Sequence, residues 1–151
     1  MYRHILIATD GSELAGKAVM QGLELAQATH AKVTVLTVSE PLYIYGAVPN
    51  LHPLPADMPS AIGEAKRHAD EHAAAILGAA AARAQGLGVP CATLAVAHDD
   101  PHAAIIENAA SEGCDLIVMA SHGRRGLSAL VLGSVTLKVL THSTIPVLVL
   151  R

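Results

Sequence analysis

The sequence predicts an α/β fold: one doubly wound domain over residues 1–151, with a five-stranded parallel sheet and four helices. Three observations carry that expectation. Five short apolar runs are nearly continuous, the pattern of strands covered on both faces and hence of a parallel sheet. Between them, apolar residues recur at helical spacing. The two kinds of segment alternate along the whole chain, β-α-β-α-β-α-β-α-β, which implies crossovers between parallel neighbours and a ligand site outside the carboxyl ends of the strands.

The first strand is Ile5 to Thr9, and the helix after it, Ser12 to Thr29, carries Leu14, Ala18, Met20, Leu25 and Ala28 near helical spacing. Lys32 to Val38 is the second strand. Pro41 to Pro59 then holds five prolines with Tyr43, Tyr45 and His52, too long for a compact connection. It reads as a surface loop near the ligand edge, either a lid or a mobile excursion. The second helix, Ser60 to Gln85, repeats Ile62, Ala65, Ala69, Ala73, Ile76, Ala80 and Ala84 and stops at Gly86 and Gly88. Cys91 to Ala97 is the third strand, Pro101 to Ser111 the third helix with Gly113 as its stop, and Asp115 to Ala120 the fourth strand. Ser134 to Ser143 is the last helix, and Pro146 to Leu150 the fifth strand.

Composition narrows the function classes. The chain is 52% hydrophobic, yet no stretch reaches the roughly 18 to 20 apolar residues of a membrane span, and Ile5 to Ala8 is too short for a secretory signal. Cys91 and Cys114 stand singly in apolar runs and fit neither a disulfide framework nor a zinc ribbon; buried thiols in a reducing cytoplasm are the expectation. The net charge is -3, which argues against extended nucleic-acid binding. Its distribution is uneven: residues 1–115 carry 6 basic and 13 acidic groups, whereas Leu116 to Arg151 has no acid and holds Arg124, Arg125, Lys138 and Arg151. The last third is suited to an anion.

The strongest local signal follows the fourth strand, where Ala120-Ser121-His122-Gly123-Arg124-Arg125-Gly126 leads through Leu127 to Leu132 into Gly133-Ser134-Val135-Thr136. Glycine, cation and helix start coincide there. Free N–H groups at a helix N-terminus bind phosphate, and glycine allows close approach; the same residues also fit a turn in which Ser134 is an ordinary N-cap. Thr9-Asp10-Gly11-Ser12 ends the first strand, and Asp10 suits either a ribose or adenine edge or a capping box with Glu13. Gly11 to Lys17 approximates a Walker A loop, but Ala18 replaces the magnesium-binding hydroxyl and the segment reads as helix. Gly123 to Gly126 has the G-x-x-G form of a KH loop but follows a strand. Among the nine histidines, His68 with His72 and His98 with His102 lie at i, i+4 and read as solvated surface.

Taken together, Ile5 to Ser12, Ser121 to Gly123, Gly133-Ser134 and the terminal Ile145 to Leu150 resemble the universal stress protein family over essentially the whole chain. The ATP-binding branch of that family carries G-x-x-G, nine residues, then G-S or G-T. Here the corresponding residues are Ala120 to Gly123, nine residues from Arg124 to Leu132, Gly133 and Ser134, with Ala120 in place of the first glycine. The resemblance implies a Rossmann-like adenine-nucleotide-binding fold of strand order 3-2-1-4-5. It places adenine at the ends of the first and second strands against the Val38 backbone, with Thr9 and Asp10 beside the nucleoside. The triphosphate then falls on Gly123, Gly133, Ser134, Val135 and Thr136, with magnesium, while Ala120 and His122 border the phosphate loop and Arg124 screens its charge. A homodimer through the fifth strands is also implied. The resulting expectation is an ATP-binding stress-response module that acts on an as yet unidentified protein partner; a slow ATPase or phosphotransfer enzyme using His122 or Ser121, and a nucleotide-free dimeric scaffold, are the alternatives.

Overall fold

A computed structural model of the protein describes residues 1–41, 57–123 and 131–151. The elements alternate as β1 (His4–Ala8), α1 (Glu13–Thr29), β2 (Lys32–Ser39), α2 (Met58–Gly86), β3 (Cys91–Ala97), α3 (Pro101–Ser111), β4 (Leu116–Ala120), α4 (Ser134–His142) and β5 (Val147–Leu150). The strands form one parallel sheet in the order β3-β2-β1-β4-β5. Element types, order and sheet order match the expectation. The boundaries shift by one or two residues, and α2 begins at Met58 because Pro59 fits a first helical turn, where its missing N–H costs nothing. Most of the proline-rich segment, 42–56, lies outside the described residues.

The period-two alternation of strand side chains divides the core in two. Ile5 and Ile7 of β1, Val33 and Val35 of β2, and Leu116 and Val118 of β4 meet Val19, Leu23 and Ala26 of α1 and Leu77, Ala80 and Ala84 of α2. Leu6, Leu36, Ile117 and Met119 point the other way, onto Ile105 and Ala109 of α3 and Val139 of α4. The helix α1 lies very close to the sheet: a Cβ at Gly22 would stand 2.6 Å from Ile7 Cδ1, so only glycine fits there without a shift.

The expectation of strands buried on both faces holds for β1 and β4, whose five residues each are buried throughout. It fails for β3 and β5. Both are edge strands of this chain, each with a neighbouring strand on one side only, and the residues of β3 are half-buried or exposed throughout. Cys91 in β3 is therefore half-buried; Cys114 is fully buried, and burial, then the nearby Glu112 and Asp115, push its thiol up to about 11. Such a thiol is inert at neutral pH.

Two contacts fix the lower end of the sheet. Asp115 accepts hydrogen bonds from the N–H groups of Arg3 (2.9 Å) and His4 (3.0 Å), tying the start of β1 to the start of β4. The His4 ring is buried, with Nε2 2.9 Å from the Thr34 hydroxyl of β2 and Nδ1 without a hydrogen-bond partner among the described residues.

Candidate functional site

The carboxyl ends of β1, β2 and β4 open into a cavity of about 210 Å³ lined by Ala8, Thr9, Asp10, Ala15, Leu36, Val38, Pro101, Ile105, Met119, Ala120, His122, Gly123, Val135 and Thr136. This is where strand order reverses, because the chain leaves β1 toward β2 on one side and reaches β4 on the other. One wall is apolar, built by Leu36, Val38, Pro101, Ile105 and Met119; the polar groups gather around Thr9, Asp10, His122 and the start of α4. An apolar slot with a few convergent polar groups is the usual form of a small-molecule site. A larger groove of about 670 Å³ runs between α1 and α2, but its charged groups, Glu13, Lys17, Glu24 and Arg83, are all solvent-exposed.

The turn after β1 is built by local hydrogen bonds. Gly11, at φ +78°, lets the chain double back so that its N–H donates to the Thr9 hydroxyl (3.2 Å) and the Ser12 N–H donates to Asp10 Oδ1 (3.0 Å). The cap of α1 is Ser12, whose hydroxyl accepts from the Ala15 N–H at 3.2 Å. Asp10 thus shapes the turn instead of capping the helix, and its other carboxylate oxygen packs against Gly123, where a Cβ would collide with it. Gly16 and Lys17 lie within α1, and Lys17 pairs with the exposed Glu13 at 3.2 Å, so the G-x-x-x-x-G-K stretch is no phosphate loop.

On the opposite side, the N-cap of α4 is Gly133, not Ser134, and it provides no side-chain cap. Its N–H donates to the Ser121 carbonyl at 2.8 Å, and a Cβ on it would stand 3.3 Å from His122 Cα. The two glycines therefore serve close approach; neither has a positive φ. The first-turn N–H groups of a helix begun in this way have no intrahelical acceptor, and they carry the positive end of the helix dipole. The Thr136 hydroxyl does not point its proton toward the cavity: it donates to the Ala120 carbonyl at 2.9 Å and anchors α4 to the end of β4. His122 Nδ1 lies 3.1 Å from the Ser121 hydroxyl, which orients the ring.

Of the residues singled out from sequence, Thr9, Asp10, Val38, Ala120, His122, Gly123, Val135 and Thr136 meet around one cavity. Gly133 sits directly behind it, in contact with Ser121 and His122, and Ser134 opens α4 beside it. Arg124 and Arg125 lie outside the described residues. Sequence reasoning did not find Pro101, Ile105, Leu36 or Met119 as lining. The signal was present for α3, since a helix entered from the carboxyl end of β3 must begin at the same edge as the site.

The universal stress protein family model matches residues 1–151. The chain belongs to the universal stress protein family. It is 32% identical to the universal stress protein YxiE of Bacillus subtilis, over the full length of both chains. The solved structure of protein MJ0577, from Methanocaldococcus jannaschii, superposes with a TM-score of 0.77 at 30% identity and covers 99% of this chain and 96% of that one. A universal stress protein solved in complex with cAMP superposes with a TM-score of 0.69 at 25% identity, over 99% and 97% of the two chains.

Proposed function

We propose that this member of the universal stress protein family is a single-domain, cytoplasmic adenine-nucleotide-binding module in which bound ATP sets conformation and partner choice. The observation that carries the reading is the start of α4, which has no side-chain cap and whose first-turn residues Val135 and Thr136 line the same cavity as the apolar wall of Val38, Ile105 and Met119. An adenine ring fits the apolar side, Asp10 and Thr9 suit the ribose, and the phosphates belong at the first turn of α4 with Gly123 and Ser134. The cAMP complex of a relative supports an adenine nucleotide as the ligand class. Magnesium would enter with the triphosphate, since Asp10 is the sole carboxylate among the described residues that line the cavity. The reading is one of binding, with the nucleotide shifting a conformational equilibrium through differential affinity.

The same reading includes a homodimer through β5, whose outer edge pairs with no strand among the described residues. The deciding experiment is the nucleotide content of protein purified without added ATP, released by denaturation and separated chromatographically. Near-stoichiometric adenine nucleotide, lost in a Gly133→Ala, Ser134→Ala variant that keeps its fold, is the expected result. Absence of nucleotide from both proteins, together with a melting temperature unaffected by ATP, would overturn the binding function.

A further inference from the structure

Beyond the cavity, two histidines from different helices meet at the surface. His102, in the first turn of α3, and His142, the last residue of α4, hold their rings with centroids 5.7 Å apart and planes inclined by 46°. Two imidazoles that share one ion at Zn–N distances of about 2.0–2.1 Å have centroids on the order of 5–6 Å apart, depending on the angle at the metal. The pair stands at that spacing already.

The tautomer of His142 is fixed by its hydrogen bond. Its Nδ1 lies 2.8 Å from the Lys138 carbonyl oxygen, and because a carbonyl only accepts, Nδ1 carries the proton. The lone pair is therefore on Nε2. A ring that donates one N–H to a backbone carbonyl and presents the other nitrogen unprotonated is the arrangement found around protein-bound metals, where the carbonyl orients the ligand and raises its basicity. The Nδ1 of His98, the residue at i, i+4 spacing from His102, accepts the Asp100 N–H at 2.9 Å, and no ring contact joins it to His102 among the described residues. Among the described residues no three His, Cys, Asp or Glu groups converge, so water completes the coordination.

We propose that His102 and His142 form a two-imidazole site for a borderline divalent transition-metal ion such as Zn²⁺ or Ni²⁺, joining the start of α3 to the end of α4. Imidazole nitrogen suits these ions and not Mg²⁺ or Ca²⁺. The site is independent of the nucleotide, and its ion stabilises the fold by mass action because the unfolded chain does not hold the two rings together.

The test titrates Zn²⁺ and Ni²⁺ into tag-free, metal-stripped protein at pH 7.5 by calorimetry. The proteins compared are wild type, His102→Ala, His142→Ala and a His68→Ala, His72→Ala control, with long-range ¹H–¹⁵N spectra of the wild-type imidazoles at one equivalent of Zn²⁺. The expected result is one site per chain, weakened at least about tenfold by either His102→Ala or His142→Ala and unchanged in the control, with the Nε2 signals of two rings moving together. Wild-type protein that takes up no metal overturns the proposal. So does affinity unchanged in both His102→Ala and His142→Ala, or affinity lost in the α2 control. His142 is exposed and His102 half-buried, and circular dichroism verifies that the variants fold.

Discussion

Ala120, at the position where the sequence resemblance leads one to expect glycine, shows how a single methyl group is accommodated at the end of β4. The residue ends β4 without a positive φ, so no backbone strain calls for glycine, and its side chain packs with Ala15 and Ala18 of α1 and with Leu150. The methyl thus contributes to the core between α1 and the sheet. Ala120→Gly removes a buried methyl worth about 0.8 kcal/mol and adds about 0.5–1 kcal/mol of backbone entropy to the unfolded chain. It should lower the melting temperature by several degrees in a thermal scan without raising the nucleotide content of the purified protein. His4 supplies a second residue-scale prediction. Burial, then the Lys32 charge, hold its folded pKa below the ordinary 6.5 against the opposing influence of Glu112 and Asp115. Above pH 6.5 the ring is neutral whether folded or unfolded, so it imposes no penalty. Below 6.5 the unfolded chain takes up a proton that the folded ring resists, so stability falls with pH until the lowered folded value is passed. Urea midpoints measured from pH 7.5 to 5.5 should therefore fall more steeply in the wild type than in His4→Gln.

At the scale of elements, the helix ends separate what local chemistry specifies from what tertiary context decides. Gly88 and Gly113 follow α2 and α3 at φ +69° and +67°, as stop signals in the sequence suggest. His30 occupies the same left-handed region at φ +55° after α1, where its N–H donates to Ala26 and Gln27 carbonyls and its side chain is exposed. A Cβ there is unfavourable by about 1 kcal/mol, and His30→Gly should raise the melting temperature by about 2–4 °C in calorimetry. Element order was legible because apolar continuity and helical spacing are properties of neighbouring residues, as Ile5 to Ala8 and Leu116 to Ala120 show. The exposure of β3 was not legible: Cys91 to Ala97 is as apolar as an inner strand, and only the sheet order places it at an edge. The glycines, Asp10 and His122 of the site were legible because close approach and hydrogen bonding demand particular residue types. Ile105 and Met119 were not, since an apolar lining residue looks like any core residue until the sheet brings it to the cavity. The role of Ser12 as cap, with Asp10 two residues earlier shaping the turn, depends on which side chain the Gly11 bend turns inward, and adjacent polar residues do not reveal that.

For the whole molecule, the side beyond β5 is an outer flank of the sheet. Leu148 of β5 and Leu137 and Leu140 of α4 are 39%, 54% and 42% exposed, and together they leave apolar surface next to an open strand edge. Backbone direction along β5 is set by two bonds to its neighbour: the Pro146 carbonyl accepts from the Ile117 N–H, and the Leu150 carbonyl from the Ser121 N–H. Residues of even number therefore face β4, and the N–H and C=O groups of Val147 and Val149 face the open edge. A twofold-related β5 would pair those groups and cover Leu148 in one step. Val149→Pro removes one outward donor and leaves the bonds to β4 in place, because proline is tolerated on a strand edge. Sedimentation velocity should show a dimer for the wild type and a monomer for Val149→Pro with unchanged far-ultraviolet circular dichroism. A wild-type monomer would remove the β5 interface from the proposed function, and a Val149→Pro dimer would move it to another face of the chain.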